Sequence, residues 1–317
     1  MAHEEGRQKM NPAWNIALKE LYTSVKSKRF IVIMGLYLLI FGLAVYGIKD
    51  YLIQMGVPDV ESNEFGLWGT SGEVYMTPLA MLFMINMMII TIIGAVLGAA
   101  LGSDAINREI ETGTAKVLLG HPVYRDEVIN GKFLGMGVLI VLTNIVVYVA
   151  IVAVMLILGI PMDSDSLFRG FLAILATMLY TLVFLSLGVL FSTLFKKPET
   201  SMLAAVGLAI FLTVFYGIVV EIVAPKLAGP EPPWGTSAHE IWRETVNAWM
   251  TRLHFLNPAH HYAQLVQYIF GGDKFLNYYL PLGDSFTYGF NNLAMLLVML
   301  FLPFAFAYVR FMTSDIN

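Results

Sequence analysis

The stretch TPLAMLFMINMMIITIIGAVLGAALG, residues 77–102, runs for 26 positions without an ionisable side chain. At about 1.5 Å per residue a helix of this length covers about 39 Å, more than the roughly 30 Å hydrocarbon core of a bilayer. Backbone polar groups in lipid must be satisfied within the segment, so such a run reads as a spanning helix. Gly94, Gly98 and Gly102 fall four apart, with Ala95 and Ala99 beside them. Residues four apart share a helix face, so this strip has almost no side-chain bulk and admits another helix in close van der Waals contact. It is expected to be a helix-packing surface, within one chain, between subunits or along a pathway wall.

Five further apolar runs flank this one, at 30–48, 133–160, 170–195, 201–224 and 289–309, each long enough to cross. Hydrophobic residues make up 57% of the 317 positions and charged ones only 13%, about half the soluble norm, so too little polar surface remains to cover a soluble globule. The expected fold is therefore all-α: a single polytopic membrane domain over 1–317 with six transmembrane helices. With no cysteine there are no disulfides, thiolate metal sites or thiol catalysis, and a net charge of −4 offers no field for nucleic acid. Residues 1–10 lack the apolar core and cleavage site of a signal peptide.

Charge sets the expected orientation. With the N-terminus inside, 13 of the 19 Lys and Arg fall on inner segments, among them Lys28, Arg29, Arg108, Lys116, Arg125, Lys132, Lys196, Lys197 and Arg310. The six others (Lys49, Arg169, Lys226, Arg243, Arg252 and Lys274) fall outside, and Asp50, Asp59, Glu61, Glu64 and Glu73 follow the first run on the same outer side. The positive-inside rule then makes both termini cytoplasmic in a multi-pass cell-membrane protein.

Two segments outside the runs have helical patterns. Over 11–29, Asn11 is a good N-cap, Pro12 fits the first helical position, and Trp14, Leu18, Leu21, Tyr22 and Val25 share one face. That pattern predicts an amphipathic helix in the inner membrane interface. The outer segment 225–288 opens with Pro225, Pro230, Pro232 and Pro233, which are expected to forbid a continuous helix. Ser237 and Glu240 form a capping box for a helix with Ile241, Trp242, Val246 and Trp249 on one side. Asn257-Pro258 opens another helix that buries Tyr262, Leu265, Val266 and Ile269 and stops at Gly271-Gly272. Both are expected to rest on or dip into the outer membrane surface.

The loop between the second and third runs carries the most information. Charged Arg108, Glu109 and Glu111 precede a break at Gly113; an amphipathic turn through Leu118-Leu119 follows, and Pro122 resets the chain before Arg125 and Gly131-Lys132. A cytoplasmic loop that mixes charge and apolar side chains over so few residues suits docking to a soluble partner. The stretch resembles the pattern of type-2 ABC transporter permeases: acid-basic-Glu-x-x-Gly-Thr, Leu-Leu, Pro-Val-x-Arg, then Gly-Lys. It matches at Arg108, Glu109, Gly113, Thr114, Leu118, Leu119, Pro122, Val123, Arg125, Gly131 and Lys132. It departs at Asn107, where the family has an acid, by one extra residue between Glu109 and Gly113, and at Tyr124, where a small hydroxyl is common. The six runs, the N-terminal helix and the outer segment extend the likeness over nearly the whole chain.

The resemblance implies an exporter in which two permease subunits, identical or different, form the pathway. Separate ATP-binding subunits dock below, and Arg108, Glu109, Glu111, Gly113, Thr114, Leu118, Leu119, Pro122 and Arg125 form the coupling element. No Gly-x-x-x-x-Gly-Lys-[Ser/Thr] loop is present, so this chain is expected to be no enzyme and to carry no cofactor; ATP and Mg belong to the partner. Membrane lipid is the other expected partner. The rival readings are a polytopic membrane enzyme and an ion-coupled transporter. Both need ionisable or nucleophilic groups at membrane depth, whereas the candidates inside the runs are Asn86, Asn144, Thr177 and Ser186, with no His or Asp to activate them, and Glu221 lies near one end. The family includes the copper-processing permease of nitrous oxide reductase maturation, which this chain resembles in general architecture. His254, His260 and His261, with His239 nearby and 18 methionines, are the corresponding candidates for a soft-metal site. Methionine as apolar filler is the better reading, and no metal is expected.

Overall fold

The computed structural model describes residues 12–55, 74, 76–113, 124–273 and 278–314. Within them lie six helices long and apolar enough to cross a membrane. The first span is α2, Lys28–Met55, and the second is α3, Pro78–Gly102, extended after a short break by α4, Asn107–Glu111. The third is α5, Arg125–Ile157, and the fourth α6, Ser164–Leu194. The fifth is α7, Pro198–Ile210, continued through a π-helical turn at Phe211–Phe215 into α8, Tyr216–Ala228. The sixth is α11, Leu282–Thr313. Before the first span lies α1, Pro12–Val25; between the last two lie α9, Ser237–His254, and α10, Pro258–Ile269. The protein is an all-helical polytopic membrane protein, apart from a two-residue antiparallel ladder, β1 (Gly272–Asp273) on β2 (Tyr278–Tyr279).

The helices outrun the apolar runs because capping groups, not hydrophobicity, end them. Glu127 accepts from the Tyr124 backbone N–H at 2.9 Å, which starts the third span at Arg125 rather than at 133. Asp163 accepts from the Ser166 N–H at 2.7 Å, and Thr77 from the Ala80 N–H at 3.1 Å. Two expectations are corrected. Pro225 does not end the fifth span but sits inside α8. A proline removes one helical N–H, a loss that membrane helices tolerate when neighbouring groups re-satisfy the backbone. The cap of α9 is Thr236 rather than Ser237: its hydroxyl accepts from the His239 N–H at 3.2 Å and donates to the Pro233 carbonyl at 2.7 Å. Asn11, the expected cap of α1, lies outside the described residues.

The second and fourth spans form the centre, each more than half buried, and the first and fifth lie outside them. Tyr37 of the first span donates to Asn86 Oδ1 at 2.8 Å, a cross-span bond between buried groups. Leu36, Leu39 and Leu43 of the first span, and Leu203, Phe215 and Ile222 of the fifth, stay exposed, as lipid-facing side chains do.

Both described ends of the chain lie at the same end of the bundle. Arg125 Nη1 donates to the Ser314 carbonyl at 2.7 Å and more weakly to those of Phe311 and Met312, capping the sixth span. Helix α1 packs on the third span through Ala17 and leaves an apolar face of Trp14, Leu18, Tyr22 and Val25 exposed. At the opposite end α10 is a core element, not a surface one: Tyr262, Leu265, Val266 and Ile269 are all buried. Arg169, read from the sequence as an outer-loop charge, is 1% exposed and ties this end together. Its guanidinium donates to the Ile269 and Leu280 carbonyls, to Ser285 at 3.3 Å and to Asp165 at 3.1 Å, and lies 4.5 Å over the Tyr279 ring.

Candidate functional site

Helix α4 has only five residues, yet it is tied to several spans at once. Asn107, 1% exposed, donates to the Phe195 carbonyl at the end of the fourth span at 3.3 Å. Just before α4, Asp104 Oδ2 accepts from Arg29 of the first span at 2.9 Å and from Arg108 at 3.3 Å. Glu109 faces the third span, where Lys132 Nζ lies 2.9 Å away. Beside it, the Ser201 hydroxyl at the start of the fifth span donates to the Ser103 carbonyl at 2.6 Å. The helix, with the residues just before it, is therefore bonded to the first, third, fourth and fifth spans.

Its free side faces a groove of about 620 Å³ between α4 and the first turns of the fifth span. Arg108, Glu111 and Glu199 give the groove charged lips, and Met202, Leu203 and Val206 give it an apolar lining. Such a surface suits a protein partner, because apolar area supplies contact while charges fix orientation.

The expected coupling residues separate accordingly. Arg108 and Glu111 are exposed, and Gly113 follows α4 at φ 72°, a left-handed conformation that glycine adopts without strain. Glu109 is turned inward and Arg125 is occupied at the end of the sixth span. Thr114, Leu118, Leu119 and Pro122 lie outside the described residues. What the sequence reading missed is Lys132, taken as the end of a loop but buried inside the third span and bonded to two carboxylates. Its neighbour Gly131 was the available signal, since a small residue beside a charge marks a close helix approach.

The glycine strip of the second span faces the fourth span of the same chain. A Cβ on Gly98 would meet Leu185 N at 2.9 Å and one on Gly102 would meet Val189 N at 2.7 Å. Gly188 returns the contact, with its own Cβ position 2.6 Å from the Ala99 carbonyl. The polar groups inside the spans bond within the chain: Asn144 Nδ2 donates to the Ile140 carbonyl, Thr177 to the Ala173 carbonyl and Ser186 to the Val183 carbonyl.

The three histidines do gather, at the junction of α9 and α10. The rings of His254 and His260 stack with centroids 4.6 Å apart and planes 8° apart, which sets their nitrogens side by side rather than converging. His261 spends both ring nitrogens, on Asn292 Oδ1 and the Phe255 carbonyl, each at 2.8 Å. Among the described residues no group of three or more His, Cys, Asp or Glu is placed to hold a metal. The adjoining cavity, lined by Met87, Met88, Thr91 and both stacked rings, has about 20 Å³, room for a single water.

Burial, and then the neighbouring His254 and His261, pushes the His260 pKa down to about 3. Burial lowers His254 as well, against an opposing pull from Glu221. The His260 ring is neutral at pH 7. An unfolded histidine takes up its proton near 6.5, so below that pH the unfolded chain binds protons that the folded chain refuses. Stability is thus fully present above pH 6.5 and is lost as the pH falls toward 3; at pH 5 the His260 share is at most about 2 kcal/mol. The detergent-solubilised protein should melt lower at pH 5 than at pH 7.5, and His260→Gln should narrow that gap. An equally wide gap in the variant would count against a buried neutral ring.

Comparison with known proteins bears on the whole chain. The family model described as ABC-2 family transporter protein matches residues 14–316. A probable ABC transporter permease protein NosY of Pseudomonas aeruginosa is 26% identical over 213 residues, covering 67% of this chain and 70% of the relative. The protein of the same name in Stutzerimonas stutzeri is 29% identical over 216 residues, covering 68% and 70%.

Proposed function

The chain belongs to the ABC-2 family of transporter proteins and is an ABC transporter permease, and from that premise we propose that it is the membrane half of an ATP-driven exporter. Two permease subunits form the pathway, and ATP-binding subunits, which carry the ATP and Mg, dock beneath α4. The end of the bundle that holds the described termini is the cytoplasmic one. The observation that carries this reading is the two-sided α4: bonded into several spans on one side, open to a charged and partly apolar groove on the other. A partner that grips the open side can move the bundle. The relatives are named as permeases, which adds support for the division of labour between chains.

An ion-coupled transporter or a membrane enzyme needs ionisable or activated groups at depth. Asn86, Thr177, Ser186 and the Nδ2 of Asn144 bond within their own chain instead, which favours the permease reading.

Two measurements test the proposal. Single cysteines introduced at Lys197 and Trp234 into the cysteine-free chain should react with impermeant reagents from the inside and the outside respectively; a cytoplasmic Trp234 would sink the orientation. Reversing Arg108 and Glu111 together, to Glu and Lys, should leave the chain folded, because both are exposed. It should release the ATP-binding subunit on co-purification or lower ATP hydrolysis by the complex about tenfold or more, as loss of one charge-assisted bond of roughly 1.5–3 kcal/mol implies. A bound subunit with full hydrolysis would remove α4 from the interface.

A further inference from the structure

Lys132 lies two turns inside the third span, and its side chain is 6% exposed. Two carboxylates close on it from different elements: Glu109 of α4 at 2.9 Å and Glu20 of α1 at 3.1 Å. Lys19 of α1 stands 3.8 Å from the same Glu109 oxygen, so two acids face two bases. Glycines on either side bring α1 onto the third span. A Cβ on Gly131 would lie 2.6 Å from the Ala13 carbonyl, and one on Gly135 would lie 2.9 Å from Glu20 Cβ. Helix α1 and the third span therefore meet backbone against side-chain root, with no bulk between them. Glu109 joins α4 to this pair through charge. Removing one carboxylate would leave the buried Lys132 charge poorly compensated, which is strongly destabilising.

We propose that Lys132, with Glu109 and Glu20, is a latch that makes the interfacial helix α1 follow α4. A pull on the cytoplasmic loop is then delivered to α1 and the third span as one rigid body. Lys132 acts as a positioning residue; it touches neither nucleotide nor cargo. The inference rests on the coupling reading of α4 and adds to it the route by which motion leaves that helix. It also explains why α4 presents Arg108 and Glu111 outward while Glu109 turns in: one acid is for the partner, the other for the chain.

The experiment uses spin-label pairs in the cysteine-free chain, held with its ATP-binding subunit in nanodiscs. One pair, Ile110→Cys with Leu194→Cys, reports α4 against the fourth span from exposed positions outside the groove. The other, Tyr22→Cys with Leu194→Cys, reports α1 against the same reference. In the parent complex, trapping with ATP, Mg and vanadate should shift both distances. With Lys132→Met the α4 shift should persist and the α1 shift should fall by half or more, while Lys132→Arg restores it. Glu109→Gln, which keeps the shape and removes only the charge, should give the same split if the methionine variant folds poorly. An α1 that moves undiminished in both variants, or that stays still in the parent while α4 moves, overturns the latch and leaves the coupling reading standing. An α4 that does not respond to ATP in the parent overturns both.

Discussion

Gly98→Leu will prevent this chain from assembling in the membrane. The second and fourth spans touch through their backbones at this point. A Cβ on Gly98 would already meet the Thr181 carbonyl, Leu185 N at 2.9 Å and Phe184 Cβ at 3.1 Å. None of these is the far end of a flexible side chain, so nothing can rotate away. Inserting even one or two methylenes into a packed core costs about 1–3 kcal/mol, and leucine adds four carbons against rigid backbone. The loss should approach the whole stability of a typical domain, about 5–15 kcal/mol. Gly47 is the control, because its Cβ position has nothing within 4 Å and Gly47→Leu should be tolerated. Size-exclusion profiles of the solubilised variants check the pair. A monodisperse Gly98→Leu protein with an unchanged melting midpoint would show that the two spans do not meet as described.

The second large effect belongs to Arg169→Met. The guanidinium serves two carbonyls, a hydroxyl, a carboxylate and an aromatic face at once, and methionine keeps only the apolar stem. Each buried acceptor left without a partner costs about 1–3 kcal/mol, so the two carbonyls alone imply about 2–6 kcal/mol. Arg169→Lys should rescue little, because a compact ammonium cannot reproduce a fork aimed at two carbonyls. The damage should be local. Hydrogen exchange should speed up across 258–273 and 278–285 and stay unchanged in α1 and α4, at the other end of the bundle. Uniform acceleration, or none, would deny Arg169 its role as the tie.

These two residues also mark what the sequence could and could not disclose. The six spans were legible because lipid imposes length and apolarity on each segment separately, and the glycine strip was legible because its period lies within one helix. Partners were not. Arg169 looks like a loop charge until the Ile269 and Leu280 carbonyls, about a hundred residues later, are brought to it. Lys132 looks like an orientation signal until Glu20 and Glu109 arrive from two other elements. Ser237 reads as the cap of α9 from the sequence, whereas Thr236 takes that place with its hydroxyl held by the Pro233 carbonyl. The three histidines show the converse: their proximity was readable, but the face-to-face stacking of His254 on His260, which keeps the ring nitrogens from converging, was not.

The Arg169 tie also sets an order of events during synthesis. Its acceptors at Ile269, Leu280 and Ser285 lie 100, 111 and 116 positions downstream. At about 5–20 residues per second, the ribosome takes roughly 5–20 s to reach them after making Arg169. Through that interval the guanidinium at the start of the fourth span has only Asp165, made four residues earlier, and water or lipid headgroups must solvate the rest of it. The far end of the bundle closes only when the sixth span has begun to emerge, so a nascent chain truncated before Leu280 cannot complete it.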